Sequence, residues 1–167
     1  MRVRSTVWVL LGGALLQVPA AGAVAIQEFP IQLREGFIWA DVHAEGLTEP
    51  LHFLLDSGAS VSVINLQTAK RMSLALGKRV CVQGVGASTT GFWPEHWAAT
   101  AGEVRLPGDY LAVDLSALSG SCECPADGLI GMDFFRNRVV QIDFVARRVR
   151  LLPDAPVVRG GNSLPLK

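Results

Sequence analysis

The chain has 167 residues, with 15 lysine and arginine residues against 15 aspartate and glutamate residues. Its length favours a single domain, and half of its residues are apolar, which is enough for a sizeable core. A chain without net charge lacks the basic surface that binds nucleic acid, so the composition argues against a polyanionic partner.

The first predicted element is an export signal over residues 1–23. Two arginines precede an apolar run from Val7 to Leu16, and small residues follow it. This order is typical of a secretory signal peptide, cleaved after Ala23 or Ala25. The run is shorter than the roughly 20 residues of a membrane span, so no stable span is expected after cleavage, and an uncleaved anchor is the weaker alternative. The mature protein is expected to be exported, periplasmic or secreted.

Short apolar runs with frequent turn residues predict an all-β domain over residues 24–152. Alternation from Phe37 to His43 and an apolar run from Leu51 to Leu55, separated by a turn at Gly46, predict a hairpin. Two leucines adjoin at the end of its second strand, so we expect that strand to be covered on both faces. The strand leads directly into Asp56.

A helix and a second hairpin are predicted next. Asn65 can cap the helix and Gly77 can end it, because apolar residues recur between them at a spacing of three to four. Strands at Val80–Val85 and Phe92–Trp97 predict the hairpin, whose tip is made flexible by the glycines of segment 84–86. We interpret this hairpin as a flap.

The rest of the chain predicts more strands and a tail. Strands are expected at Glu103–Leu106 and Tyr110–Asp114, whereas Ser116–Ala126 is rich in small residues and predicts a loop. Alternating apolar residues on both sides of a turn near Ala146 predict a last hairpin. Residues 153–167 have no packing period and are predicted to be a flexible tail.

Two segments of the sequence carry the chemistry. An apolar strand runs straight into an acid, a hydroxyl and a glycine at Asp56-Ser57-Gly58, and Asp127 to Phe135 combines an apolar-apolar-glycine pattern with a predicted short helix. Together they resemble the retropepsin-like aspartic proteases. The resemblance implies an all-β acid protease barrel with one or two short helices and a flap hairpin. In that barrel the second segment is the strand that crosses beside the acid.

The resemblance also implies a shared active site. Hydrolysis of a peptide bond by aspartic proteases uses two carboxylates that share one proton, because like charges about 3 Å apart cannot both be ionised. This chain has one Asp-Ser-Gly segment, as retroviral proteases do, which predicts a homodimer with Asp56 of each chain in the dyad. Ser57 would donate its hydroxyl hydrogen across the dimer axis, and Gly58 would offer its N–H to the carboxylate.

Further residues are implied to bind an extended peptide or protein substrate. Ala59 is small enough to leave the cleft open, and Gly84, Val85 and Gly86 would close over the peptide. Ile130 would line the site from the crossing strand, and the glycine that follows it would allow the close crossing. Neither a cofactor nor a metal is implied.

The three cysteines allow a different interpretation. Export permits disulfides, and the tight spacing of Cys122 and Cys124 favours a bridge from Cys81 to one of them, or plain thiols. A zinc site with His96 is the rival, but its spacing matches no familiar site. A thiol or metal-binding periplasmic domain is therefore the weakest functional hypothesis.

The second segment contains two further acids, and both have structural explanations. Asp127 is interpreted as a turn residue before a strand, and Asp133 as an acid in the first turn of a helix, where negative charge is favoured. The alternative to an endopeptidase is a catalytically silent peptide-binding or scaffold module of the cell envelope. The intact Asp56-Ser57-Gly58 segment favours the enzyme.

Overall fold

The computed structural model describes residues 26–84, 88–120 and 125–153. The predicted signal peptide, the tip of the predicted flap and almost all of the predicted tail lie outside these ranges. None of the helices in the described ranges has the length and apolar character needed to cross a membrane.

Strands make up about half of the described chain. They are β1 Gln27–Pro30, β2 Gln32–Arg34, β3 Phe37–Ala44, β4 Leu51–Leu55, β5 Val63–Asn65, β6 Leu76–Gln83, β7 Ser88–Pro94, β8 Ala99–Ala101, β9 Val104–Arg105, β10 Leu111–Val113, β11 Gly128–Ile130, β12 Val139–Asp143 and β13 Arg148–Leu152. The described helices are α1 Leu66–Arg71, α2 Ser116–Ser119 and α3 Met132–Phe135. The predicted all-β class is confirmed. The described residues form three short helices, whereas one or two were expected.

The strands form two sheets. The larger has the order β6-β7-β10-β5-β11-β4-β3-β8-β9, with β2 also paired to β3. The smaller has the order β1-β13-β12 and joins the two ends of the described chain, because β1 runs antiparallel to β13 from Gln27 opposite Leu151 to Pro30 opposite Arg148. The sequence did not predict β1 or β2, since both are too short to show a clear alternation.

Strand β11 crosses through the middle of the larger sheet. It lies between β4 and β5, parallel to β4 and antiparallel to β5, with Ile130 opposite Leu55 and Leu129 opposite Val63. The chain therefore leaves β4 at Asp56 and loops past the end of β11 before it returns as β5. This is the crossing strand that the sequence predicted.

Apolar side chains cover β4 on both faces, as its adjoining leucines predicted. We call the two clusters the first core and the second core. Representative members of the first core are Phe29, Phe53, Ile64, Ile130, Phe134 and Val149. Representative members of the second core are Trp39, Leu54, Val63, Leu111 and Leu129. Because β4 is fixed from both sides, the loop that begins at its end starts from a rigid support.

The three predicted hairpins are confirmed, as β3–β4, β6–β7 and β12–β13. The bounds of two strands and one loop were predicted wrongly. Strand β6 spans Leu76–Gln83 rather than Val80–Val85, and β7 spans Ser88–Pro94 rather than Phe92–Trp97. The chain forms α2 inside the segment Ser116–Ala126 that was expected to be a loop. These errors leave the order of the strands unaffected.

Helix α1 begins as predicted but ends early. The side chain of Asn65 accepts a hydrogen bond from the N–H of Gln67 at 3.1 Å, which caps the first turn. The helix ends at Arg71 rather than near Gly77, because Ser73 adopts a left-handed conformation with φ of 57°. The prediction relied on a glycine to end the helix, and a serine does so instead.

Replacing Ser73 by glycine should stabilise the protein by about 0.5–1 kcal/mol, because a left-handed conformation is costly for residues other than glycine. The N–H groups of Ser73 and Leu74 donate to the carbonyls of Lys70 and Ala69 at 2.9 and 3.0 Å, so the glycine keeps the same cap. The midpoint of denaturant unfolding measures the effect. The same change at exposed Ser60, where φ is not positive, should give no gain, and equal stability of Ser73→Gly and the wild type would contradict the prediction.

Candidate active site

The acid loop, residues 56–62, is attached at its start to the crossing strand and at its middle to the first residue of α3. The N–H of Asp56 donates to the carbonyl of Ile130 at 2.9 Å, and the N–H of Met132 donates to the carbonyl of Ala59 at 2.8 Å. These two bonds extend the pairing of β4 with β11 into the loop. Asp56 thus has a fixed backbone position while its side chain remains partly exposed.

A local hydrogen bond orients the carboxylate of Asp56. The N–H of Gly58 donates to Oδ1 of Asp56 at 2.8 Å. A Cβ atom at position 58 would lie 3.1 Å from that oxygen, so a glycine gives the backbone the closest approach. The structure contains the bond that the sequence led us to expect. The catalytic roles of Asp56 and Gly58 stay predictions, as does that of Ser57, which is exposed.

Gly131 lets the crossing strand pass against the acid loop. A Cβ atom at this position would lie 2.5 Å from the carbonyl carbon and oxygen of Val61 and 2.9 Å from the carbonyl oxygen of Ala59. Such distances are too short for any side chain. The close crossing expected at this glycine is therefore present, and it is made against backbone atoms that cannot rotate away.

A buried serine connects the acid loop to α3. The hydroxyl of Ser62 donates to Oδ1 of Asp133 at 2.7 Å and accepts from the N–H of Gly131 at 3.1 Å, and Ser62 is fully buried. Asp133 also accepts from the N–H of Phe134 at 3.0 Å, consistent with its predicted place in the first turn of a helix. The sequence did not reveal the part played by Ser62, because a serine in a loop carries no distinguishing signal.

Removing the hydroxyl of Ser62 should destabilise the protein. Ser62→Ala leaves the buried N–H of Gly131 without its acceptor, and we expect a loss of about 1–3 kcal/mol. Ser62→Thr keeps the hydroxyl and should recover part of the loss, while Ser60→Ala removes an exposed hydroxyl from the same loop and should cost little. Denaturant unfolding of the variants measures this, and similar midpoints for Ser62→Ala and Ser60→Ala would contradict the expectation.

Asp127 holds three elements together behind the acid loop. Its Oδ1 accepts from the hydroxyl of Thr68 at 2.7 Å and from the guanidinium of Arg71 at 2.9 Å, and its Oδ2 accepts from the N–H of His52 at 3.0 Å. The residue lies just before β11, as predicted. Its carboxylate is 14% exposed and fully engaged in connecting β4, α1 and β11.

The residues predicted to contact a substrate differ in their exposure, and two of them lie outside the described residues. Ala59 lies partly exposed in the acid loop and Gly84 follows β6 at the exposed base of the flap, whereas Val85 and Gly86 lie outside the described residues. The side chain of Ile130 is fully buried in the first core. This burial does not favour its predicted contact with a substrate, and in the structure its contribution is the carbonyl that holds Asp56.

Two of the three cysteines lie outside the part of the chain that the structure describes. Cys81 is exposed on β6, and Cys122 and Cys124 lie beyond the described residues, so their pairing stays a prediction. Within residues 26–84, 88–120 and 125–153, no group of three or more histidine, cysteine, aspartate or glutamate residues is arranged to hold a metal ion.

Comparison with known proteins identifies a matching family and related folds. Residues 40–134 match the family model described as aspartyl protease, and this range includes the first signature segment and all but the last residue of the second. Over 94 residues the chain is 29% identical to the retrovirus-related Pol polyprotein from transposon 412 of Drosophila melanogaster. Those residues are 56% of this chain but span only 7% of the polyprotein.

Two solved structures have a similar fold. A retropepsin-like aspartic protease from Rickettsia conorii matches 79% of this chain and 95% of its own, with a TM-score of 0.50 and 14% identity. The retroviral protease-like domain of Ddi1 from Leishmania major matches 70% of this chain and 94% of its own, with a TM-score of 0.44 and 18% identity. At these identities the likeness to the Rickettsia protein concerns the fold alone.

Proposed function

The chain belongs to the retropepsin-like aspartyl protease family, and on this premise we propose that it is an aspartic endopeptidase that works as a homodimer. In this proposal, Asp56 of one chain and Asp56 of its partner activate a water molecule between them. The substrate is an extended segment of a peptide or protein. Residues 1–23 direct the protein out of the cytoplasm, to the periplasm or the medium.

The observation that carries the proposal is the exposure and hydrogen bonding of the three acids in the two signature segments. Asp56 directly follows β4, with its side chain partly exposed and oriented by a backbone N–H. The other two are already engaged, Asp127 by three donors and Asp133 by Ser62 and a helix N–H. Among these three acids Asp56 is therefore the suitable carboxylate, and in this proposal a second copy of the chain supplies the other.

The proposed chemistry needs both members of the dyad. One ionised carboxylate removes a proton from the water while the protonated one donates to the substrate, and the proton finally reaches the departing nitrogen. The N–H of Gly58 keeps the carboxylate of Asp56 in a constant orientation during these transfers. The hairpin of β6 and β7 covers the bound peptide and excludes water other than the reacting molecule.

The test is cleavage of a peptide library by the purified mature chain at mildly acidic pH over a dilution series, with sedimentation at each concentration. We expect the activity per chain to fall on dilution in step with dissociation of the dimer. Constant activity per chain in samples that sediment as monomers would contradict the shared site. Peptide binding without cleavage at any pH or concentration would favour the silent peptide-binding module instead.

A further inference from the structure

A surface pocket of about 670 Å³ opens beside the acid loop. Val61 supplies one wall and Trp93 and Pro94 at the end of β7 supply another. The rest of the lining comes from segment 107–109, from Asp133 of α3 and from Arg138. It therefore combines an aromatic and aliphatic wall with charged side chains next to the acid loop. This combination is typical of a concave site that selects one side chain of a ligand, and it is not typical of a flat surface.

Arg138 is a positioned cation in this pocket. Its guanidinium carbon lies 5.3 Å from the centre of the Phe134 ring, a cation–π contact. Its backbone N–H donates to the carbonyl of Phe135 at 3.3 Å. No carboxylate in the described part of the chain lies within ion-pair distance of it. Arg148 and Arg150 differ in this respect, because both pair with Glu28.

Two acids also line the pocket, one hydrogen-bonded through one of its oxygens to neutral donors and one solvated. Oδ1 of Asp133 accepts from both Ser62 and the N–H of Phe134. Asp109 also lines the pocket, but its side chain is 88% exposed and lies 3.5 Å from His96, so its charge is screened by water. Arg138 is thus the charged group of the pocket that has no ion-pair partner among the described residues, and its exposed guanidinium is restrained by the contact with Phe134.

The location of the pocket fits a position near the reacting bond of a substrate. Val61 follows Asp56 by five residues on the acid loop. An extended peptide advances about 3.4 Å per residue, and the acid loop can advance by no more than about the same distance per residue. Five residues of an extended substrate can therefore span the distance between the acid and Val61.

We propose that this pocket is an outer subsite for an acidic side chain of the substrate, aspartate or glutamate, bound by the guanidinium of Arg138. A planar guanidinium holds a carboxylate through two parallel hydrogen bonds, which gives direction as well as charge. Trp93 and Pro94 cover the methylene groups of the bound side chain. The inference rests on the proposed endopeptidase and names a substrate class for it.

The first test uses peptides that carry Glu, Gln or Lys in turn at each of the five positions on either side of the cleaved bond. At one outer position, kcat/KM should be about fivefold to tenfold higher with Glu than with Gln. Arg138→Gln should remove this difference. Arg136→Gln, which changes an exposed arginine outside the pocket, should keep it.

A second test separates this inference from the proposed function. The full chain carrying Asp56→Asn is titrated with the same peptides labelled for fluorescence anisotropy, so binding is measured without turnover. Tighter binding of the Glu peptide, lost with Arg138→Gln but not with Arg136→Gln, supports the subsite even if no peptide is ever cleaved. Equal binding of Glu and Gln peptides, a preference for Lys that Asp109→Asn removes, or no binding of any peptide would overturn it.

Discussion

Replacing Asp56 by asparagine should lower kcat for peptide cleavage by at least about a thousandfold and leave the dimer intact, because an amide can neither accept nor share the catalytic proton. Asparagine keeps an oxygen at the position of Oδ1, so the hydrogen bond from Gly58 and the conformation of the acid loop should persist. Cleavage assays and sedimentation of the two proteins at equal concentration measure both parts. Retained cleavage by a pure Asp56→Asn chain would exclude Asp56 as the catalytic acid.

A mixing experiment extends this prediction to the shared site. When equal amounts of wild type and Asp56→Asn exchange subunits freely, about a quarter of the dimers contain two aspartates, so activity should fall to about a quarter of that of an all-wild-type sample at the same total concentration. Activity of one half would mean that each chain carries a complete site. An equal mixture with Arg136→Gln, a variant outside the acid loop, controls for effects of exchange and should keep full activity.

The parts of the site that sequence reasoning found are those whose contacts are local. The bond between Gly58 and Asp56 spans two positions, so a motif of consecutive residues contains both of its partners. The strand before the acid and the glycine of the crossing strand were likewise visible, because a run of apolar residues and a glycine at its end are patterns within one short segment.

The parts that it missed depend on pairs far apart in the chain. Ser62 and Asp133 are 71 positions apart, and Thr68 and Asp127 are 59 apart. Nothing in a local pattern shows which loop serine will meet which carboxylate, since the pairing is decided only when the crossing strand enters the sheet. The same holds for β1 and β13, whose pairing joins residues at opposite ends of the described chain.

Gly131, which directly follows the crossing strand, should be highly sensitive to a small change. Gly131→Ala places a Cβ atom 2.5 Å from the backbone carbonyl of Val61, and we expect a destabilisation of about 3 kcal/mol, at the upper end for a single methyl group. The clash is with backbone, so no side-chain rotation relieves it. Denaturant unfolding measures the loss directly.

The same substitution should also affect catalysis in the molecules that remain folded. The crossing strand can retreat from Val61 only by moving the carbonyl of Ile130, which holds the N–H of Asp56, so kcat should fall more than KM rises. Gly120→Ala is the matched control, because its Cβ would lie 3.4 Å from the carbonyl of Ser116, an ordinary contact, at a normal negative φ. If Gly131→Ala unfolds at the same midpoint as Gly120→Ala, the crossing is looser than its geometry indicates and does not fix the position of the acid.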